Sequence, residues 1–157
     1  MNNQYINLSE NIYKHHCFPK HNMFIHHQRI TIIKHQKPSE KDLNKQLQWL
    51  GSSLGLFNLR DKDKSCFRIF IELIKASKEK ELLSSDELAA RAHLSRGTVV
   101  HHLNKMMRSG LVVSHKNKYL LRVENLETLV AEVQKDIKRT MGDLKEVAEQ
   151  IDKALGL

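Results

Sequence analysis

Residues 84–122 read SSDELAARAHLSRGTVVHHLNKMMRSGLVVSHKNKYLLR, and the hydrophobic period changes twice within them. Ser84 followed three positions later by Glu87 is a capping-box pattern, in which a hydroxyl and a carboxylate satisfy amide donors left open at a helix start. Beyond it Leu88, Ala89 and Ala92 fall on one face at helical spacing, and small Ala89 lets a second helix cross closely. Arg91 and Glu87 point away. The pattern breaks at His93-Leu94-Ser95, where Leu94 plugs the turn and Ser95, supported by Thr98, caps a second helix.

In that second helix Val99, Leu103 and Met106 recur at i, i+4 and i+7 and make the buried stripe. The other face carries Arg96, Gly97, Val100, His101, Asn104 and Arg108. These are donors, an apolar contact for a thymine methyl, and a small residue that admits a close backbone. Such a mixture suits a major groove, whose base edges present distinguishable donors, acceptors and methyl groups. Gly110 ends the helix in a left-handed conformation. Leu111, Val112 and Val113 begin a strand, and Tyr119, Leu120 and Leu121 supply its partner. The turn His115-Lys116-Asn117-Lys118 has Asn where positive φ is tolerated and two lysines to set against phosphate. The expected fold is therefore mainly α with a small β-hairpin wing, a winged helix-turn-helix that reads double-stranded DNA.

The pattern Ser95-x-x-Thr98-Val99-x-x-His102-Leu103-x-x-Met106-x-x-x-Gly110-Leu111-Val112 resembles the recognition-helix signature of ArsR-like winged-helix transcription regulators, particularly archaeal ones. The resemblance covers about residues 60–157. It implies a recognition helix over 96–109 in the major groove and a wing over 114–119 on the backbone. One departure is His93, at a turn position where Gly or Asn is usual, so that it carries slight strain. His102 matches a half-buried structural histidine of the family. ArsR-like metal sensors place a Cys pair in the helix before the recognition helix and acid or His groups on the C-terminal helix. Residues 85–92 contain no cysteine and 123–157 no histidine, which disfavours metal sensing of that type.

Charge follows the same division. Segment 84–122 holds seven bases against two acids, and 123–157 holds five against eight, so the chain's excess of +8 gathers on the reading module and the N-terminal extension. A polyanionic partner is implied. Within the module Arg96, Gly97, Val100, His101 and Asn104 are expected to read bases. Thr98, Lys105, Arg108, Lys116 and Lys118 are expected to hold phosphates.

The 157 residues accommodate one core with extensions, and no apolar run approaches the roughly 18 residues that span a bilayer. We expect a basic, His-rich, disordered extension over 1–37, an amphipathic helix and loop over 38–59, the DNA-binding domain over 60–122 and a C-terminal helix over 123–157. The helix after Pro38-Ser39-Glu40 carries Leu43, Leu47, Trp49 and Leu50 and ends at Gly51, with Gly51-Ser52-Ser53-Leu54-Gly55 as a loop. After the charged connector Arg60-Asp61-Lys62-Asp63-Lys64, Ser65 is expected to cap a helix buried through Phe67, Phe70, Ile71 and Ile74. Cys17 and Cys66 make no disulfide framework, Cys66 reads as core packing, and the N-terminus lacks a signal-peptide stretch, so a cytoplasmic protein is expected.

From Glu124 onward Leu126, Val130, Val133, Ile137, Thr140, Leu144, Val147, Ile151 and Ala154 alternate at spacings of four and three, about four heptads. A helix from 124 to 155 is roughly 48 Å long, more than so small a domain needs for its own core. A coiled-coil homodimer is expected through Val130, Val133, Ile137, Leu144, Val147 and Ile151, the first heptad folding back onto its own domain. Thr140 and Gly142 mark a candidate bend. Two-fold symmetry then sets two recognition helices on half-sites ~34 Å apart, in an approximate inverted repeat.

His15-His16-Cys17, His21, His26-His27 and His35 concentrate metal-ligand types in the extension, but their spacing matches no metal motif, so no metal or other cofactor is assigned. Residues before Met23 are open to the alternative that the chain starts there. There is no phosphate loop, no nucleophile with an evident base and no paired acids, so the chain is not read as an enzyme. The competing reading is a winged-helix adaptor that binds protein, or DNA without sequence preference.

Overall fold

The two periodicities of residues 84–122 build two helices and a hairpin. A computed structural model describes residues 28–57 and 64–157. In order these form α1 (Leu43–Ser53), α2 (Ser65–Lys78), β1 (Leu83–Ser84), α3 (Ser85–Ala92), α4 (Arg96–Arg108), β2 (Val112–His115), β3 (Lys118–Leu121) and α5 (Leu126–Leu155). The antiparallel sheet has the order β1-β3-β2. This is a winged helix-turn-helix followed by a long C-terminal helix.

The capping box forms as the sequence implies: Ser84 Oγ accepts from Glu87 N at 3.2 Å and Glu87 Oε2 accepts from Ser84 N at 2.6 Å. The backbone bond from Ser84 N, ahead of the Ser84 hydroxyl, holds the Glu87 carboxyl below its ordinary pKa. His93 closes α3 in the left-handed region, φ 51° and ψ 52°. Ser95 caps α4 by accepting from Thr98 N at 3.1 Å. Gly110 adopts φ +73° after α4, and the wing turns through Lys116 and Asn117 with φ of 49° and 62°. Two consecutive positive values match the right-handed twist of a two-residue hairpin.

Strand β1 was not legible in the sequence. Leu83 pairs with Tyr119 and Ser84 with Lys118, so two residues that lead into the α3 cap also close the third strand. The core gathers Ile69, Phe70 and Leu73 from α2, Leu88 from α3, Val99, Leu103 and Met106 from α4, and Leu111 and Leu121 from the wing. Cys66 is buried in it, its thiol directed to Leu56 O at 3.3 Å.

Four local expectations are corrected. Helix α1 begins at Leu43 with Asp42 as its cap, accepting from Lys45 N at 2.9 Å, rather than at Pro38-Ser39-Glu40. It runs through Gly51 to Ser53, where a loop was expected, because the Phe57 ring occupies the space a Cβ at Gly51 would fill. Phe57 in turn meets Phe67 and Phe70 edge-on, at 5.4 and 6.2 Å between centroids. Glycine weakens an isolated helix, but here the packing it permits decides the local structure. Ser65 does not cap α2. Lys64, in the left-handed region, precedes the helix, and Ser65 is its buried first residue, with Oγ 2.8 Å from His102 Nε2.

The fourth concerns the extension, of which residues 1–27 lie outside the described residues, with every expected histidine except His35. Residues 28–37 are not loose. They run extended, with Arg29 N donating to Arg108 O at 3.0 Å, Ile33 N to Ser53 O at 2.8 Å, and Ile30 packed on the core.

Helix α5 is continuous, without a break at Gly142. Its stripe divides. Leu129, which the heptad reading passed over, is fully buried, Val133 is 4% exposed and Ile137 is packed against the core. Val133 was expected at a dimer seam and instead belongs to its own domain. Met141, Leu144, Val147, Ile151 and Leu155 lie beyond the domain edge and are half exposed or more.

Candidate nucleic-acid interface

The caps of α3 and α4 and the plug at Leu94 hold α4 across α3 with one face turned outward. Gly97, His101, Asn104 and Arg108, at spacings of four, three and four, form one exposed stripe along α4. A stripe of this kind, with Gly97 opening the backbone at its start, presents donors to a groove. Arg96 and Val100 lie along one edge of it, Arg96 exposed and Val100 half-buried.

Arg96 is held at the start of α4, with Nε 3.3 Å from Ser85 Oγ and 3.3 Å from Asp86 Oδ1. Both partners of the ion pair are about 70% exposed, so water screens it and a phosphate or guanine edge competes for the guanidinium readily. His101 stacks edge-on against His102, whose ring is anchored by Ser65. His101 thus stands on a fixed neighbour, a contact the adjacency of two histidines did not by itself reveal.

The expected phosphate ligands separate into two kinds. Arg108 is exposed near the end of α4, and Lys116 is exposed at the wing tip. Lys118 is exposed but its ammonium reaches Leu82 O at 3.3 Å and Glu87 Oε2 at 3.7 Å. The Thr98 hydroxyl is 2.8 Å from Ser95 Oγ and works in the cap. Lys105 is half-buried, its ammonium donating to Leu56 O at 2.6 Å, which ties α4 to the loop after α1. The sequence carries no sign of that bond because its acceptor is a backbone carbonyl 49 residues away.

Among the described residues no group of three or more His, Cys, Asp or Glu side chains forms a metal site, and no helix is long and apolar enough to cross a membrane. The fold is that of a winged helix-turn-helix, with this exposed stripe on its second helix. Residues 71–114, from the middle of α2 into β2, match the model of the family described as bacterial regulatory protein, arsR family. That match supports an ArsR-like DNA-binding transcription regulator and points to a non-enzymatic role; it does not distinguish an archaeal type. No curated protein and no solved structure matches the chain.

Proposed function

We propose that the chain is a homodimeric, sequence-specific regulator of transcription, acting on double-stranded DNA in the cytoplasm. The observation that carries this reading is the exposed stripe Gly97, His101, Asn104 and Arg108 on α4, together with exposed Lys116 at the wing tip. In this reading Arg96, His101 and Asn104 contact base edges, with Val100 against a thymine methyl. Arg108, Lys116 and Lys118 hold phosphates and so fix register without reading sequence. Thr98 and Lys105 contribute through the cap and the Leu56 tether. The dimer forms through the exposed distal half of α5, principally Leu144, Val147 and Ile151, with Val130 and Ile137 at its edge.

Selection of sites from a random duplex library at near-physiological salt tests it. An enriched approximate inverted repeat is expected. Salt-sensitive binding without enrichment would replace this reading with an architectural or adaptor role.

A further inference from the structure

Among the described residues one charged group is almost removed from water. Asp136, in the third turn of α5, is 6% exposed and sits where three other elements converge. Arg122, just past the wing strand β3, grips it with both terminal nitrogens: Nη1 bonds Oδ2, and Nη2 lies 3.3 Å from Oδ1. Gln28 of the N-terminal strap donates to Oδ2 at 3.2 Å. Arg139 approaches at 3.9 Å, and Glu132 supplies Arg122 with a second carboxylate at 3.5 Å.

The same point is pinned to the recognition helix by backbone. Arg122 N donates to Leu111 O at 2.9 Å, and Arg29, next to Gln28, donates to the Arg108 carbonyl at the last residue of α4. Gly110 closes the arrangement: a Cβ there would stand 2.5 Å from Gln28 Nε2 and 3.6 Å from Arg122 Nη1. Apolar side chains of similar volume hold elements together at least as well as a buried ion pair, whose desolvation is costly. What a two-pronged guanidinium–carboxylate fork adds is a fixed orientation.

We propose that the Asp136 junction is a positioning device for DNA binding: it sets the angle between α5 and the end of α4, and thereby the separation of the two recognition helices. The proposal rests on the homodimer reading, in which the distal half of α5 joins the protomers. Asp136 and Gln28 touch no DNA in it. They act through the rigid attachment of the dimer helix to the reading head, so their loss weakens simultaneous engagement of two half-sites and leaves the engagement of one intact.

The test uses the full chain and a set of duplexes in which two inverted half-sites, taken from the selected repeat, are separated by spacers of increasing length, beside a duplex with a single half-site. Wild type is expected to prefer one spacing sharply. Asp136→Asn and Gln28→Ala are expected to reduce affinity at that spacing by about tenfold, within the usual range of coupling between distant sites, and to flatten the dependence on spacer length. Single half-site affinity and dimer mass should not change. Gln28→Ala strands no buried charge, so it keeps the test informative if Asp136→Asn folds poorly.

Variants that keep the wild-type spacing preference would overturn the junction's role while leaving the dimer reading standing. Equal losses on one and two half-sites in Gln28→Ala would overturn it too, as the sign of a general loss of structure. A wild-type protein that is dimeric by mass but indifferent to spacing would overturn the junction's role, whereas a wild type that stays monomeric by mass would overturn the homodimer reading itself.

Discussion

Replacing Leu144 and Ile151 together by Glu should separate the protomers without unfolding them. In the monomer these side chains are 59% and 51% exposed, so carboxylates there open no cavity and meet water at once. Complete burial of a Leu or Ile side chain is worth about 1.5–3 kcal/mol, and half remains to be gained at each of these positions, about 0.8–1.5 kcal/mol. Two side chains from each of two protomers give about 3–6 kcal/mol, a 10²- to 10⁴-fold rise in the dimer dissociation constant. Four carboxylates facing one another add repulsion. Sedimentation velocity over a concentration series reads the mass directly, and circular dichroism checks that the domain is still folded. A wild-type protein that stays monomeric at high micromolar concentration, or a doubly substituted chain that remains dimeric, would refute the assignment of the distal α5 stripe to self-association.

Arg96→Ala and Asn104→Ala should each cost about 1–3 kcal/mol on the selected site and little on random duplex, whereas Lys116→Ala should weaken both alike and lower the salt slope by about 1; titration on both duplexes at several salt concentrations separates the two behaviours, and equal losses for Arg96→Ala would remove it from the base-reading group. Burial pushes the Asp136 carboxyl up, but the bonds from Arg122 and Gln28 and the charge of Arg122 outweigh it and hold the group below the ordinary aspartate value. A pKa lowered by folding gives stability that is present above the unfolded value, near 3.9, and lost as pH falls through the folded one. Thermal melts from pH 2 to 7 should therefore show wild type more stable than Asp136→Asn at neutral pH, with the gap closing below about 4; a constant gap would exclude the carboxylate's charge as its source. Ser84→Ala should destabilise by about 0.5–2 kcal/mol through loss of the α3 cap, read by chemical denaturation. Gly51→Ala should destabilise by about 1–3 kcal/mol despite alanine's higher helix propensity, because the Phe57 ring must move; a stabilised variant would show that the ring yields freely.

The local signals from residue 84 to residue 122 were strong enough to be read directly. Capping hydroxyls at Ser84 and Ser95, the left-handed positions at His93, Gly110 and Asn117, and the Val99-Leu103-Met106 stripe act over a few residues of chain, and each formed as its chemistry demands. The exposed residues of α4 were legible for the same reason, since a helix whose buried face is known has its other face assigned. In α5 the periodicity was legible but its division was not. A heptad stripe states that a face is apolar, and only the size of the domain it meets decides that Val133 is covered at home and Leu144 is not.

Where the contacts are distant in sequence, the tertiary structure alone decided. Strand β1 is two residues long and exists because β3 supplies the hydrogen bonds. Lys105 reads as a phosphate ligand until Leu56 O, brought from α1's far side, takes its ammonium. Gly51 reads as a helix stop until Phe57 packs on it. Asp136 is one acid among eight in an acidic segment until Arg122 and Gln28, 14 and 108 residues away, close over it. Caps, turns and amphipathic stripes are fixed by the geometry of a few consecutive residues, so the chain itself specifies them; the partner of a buried polar or charged group is fixed by which surfaces meet when those elements pack.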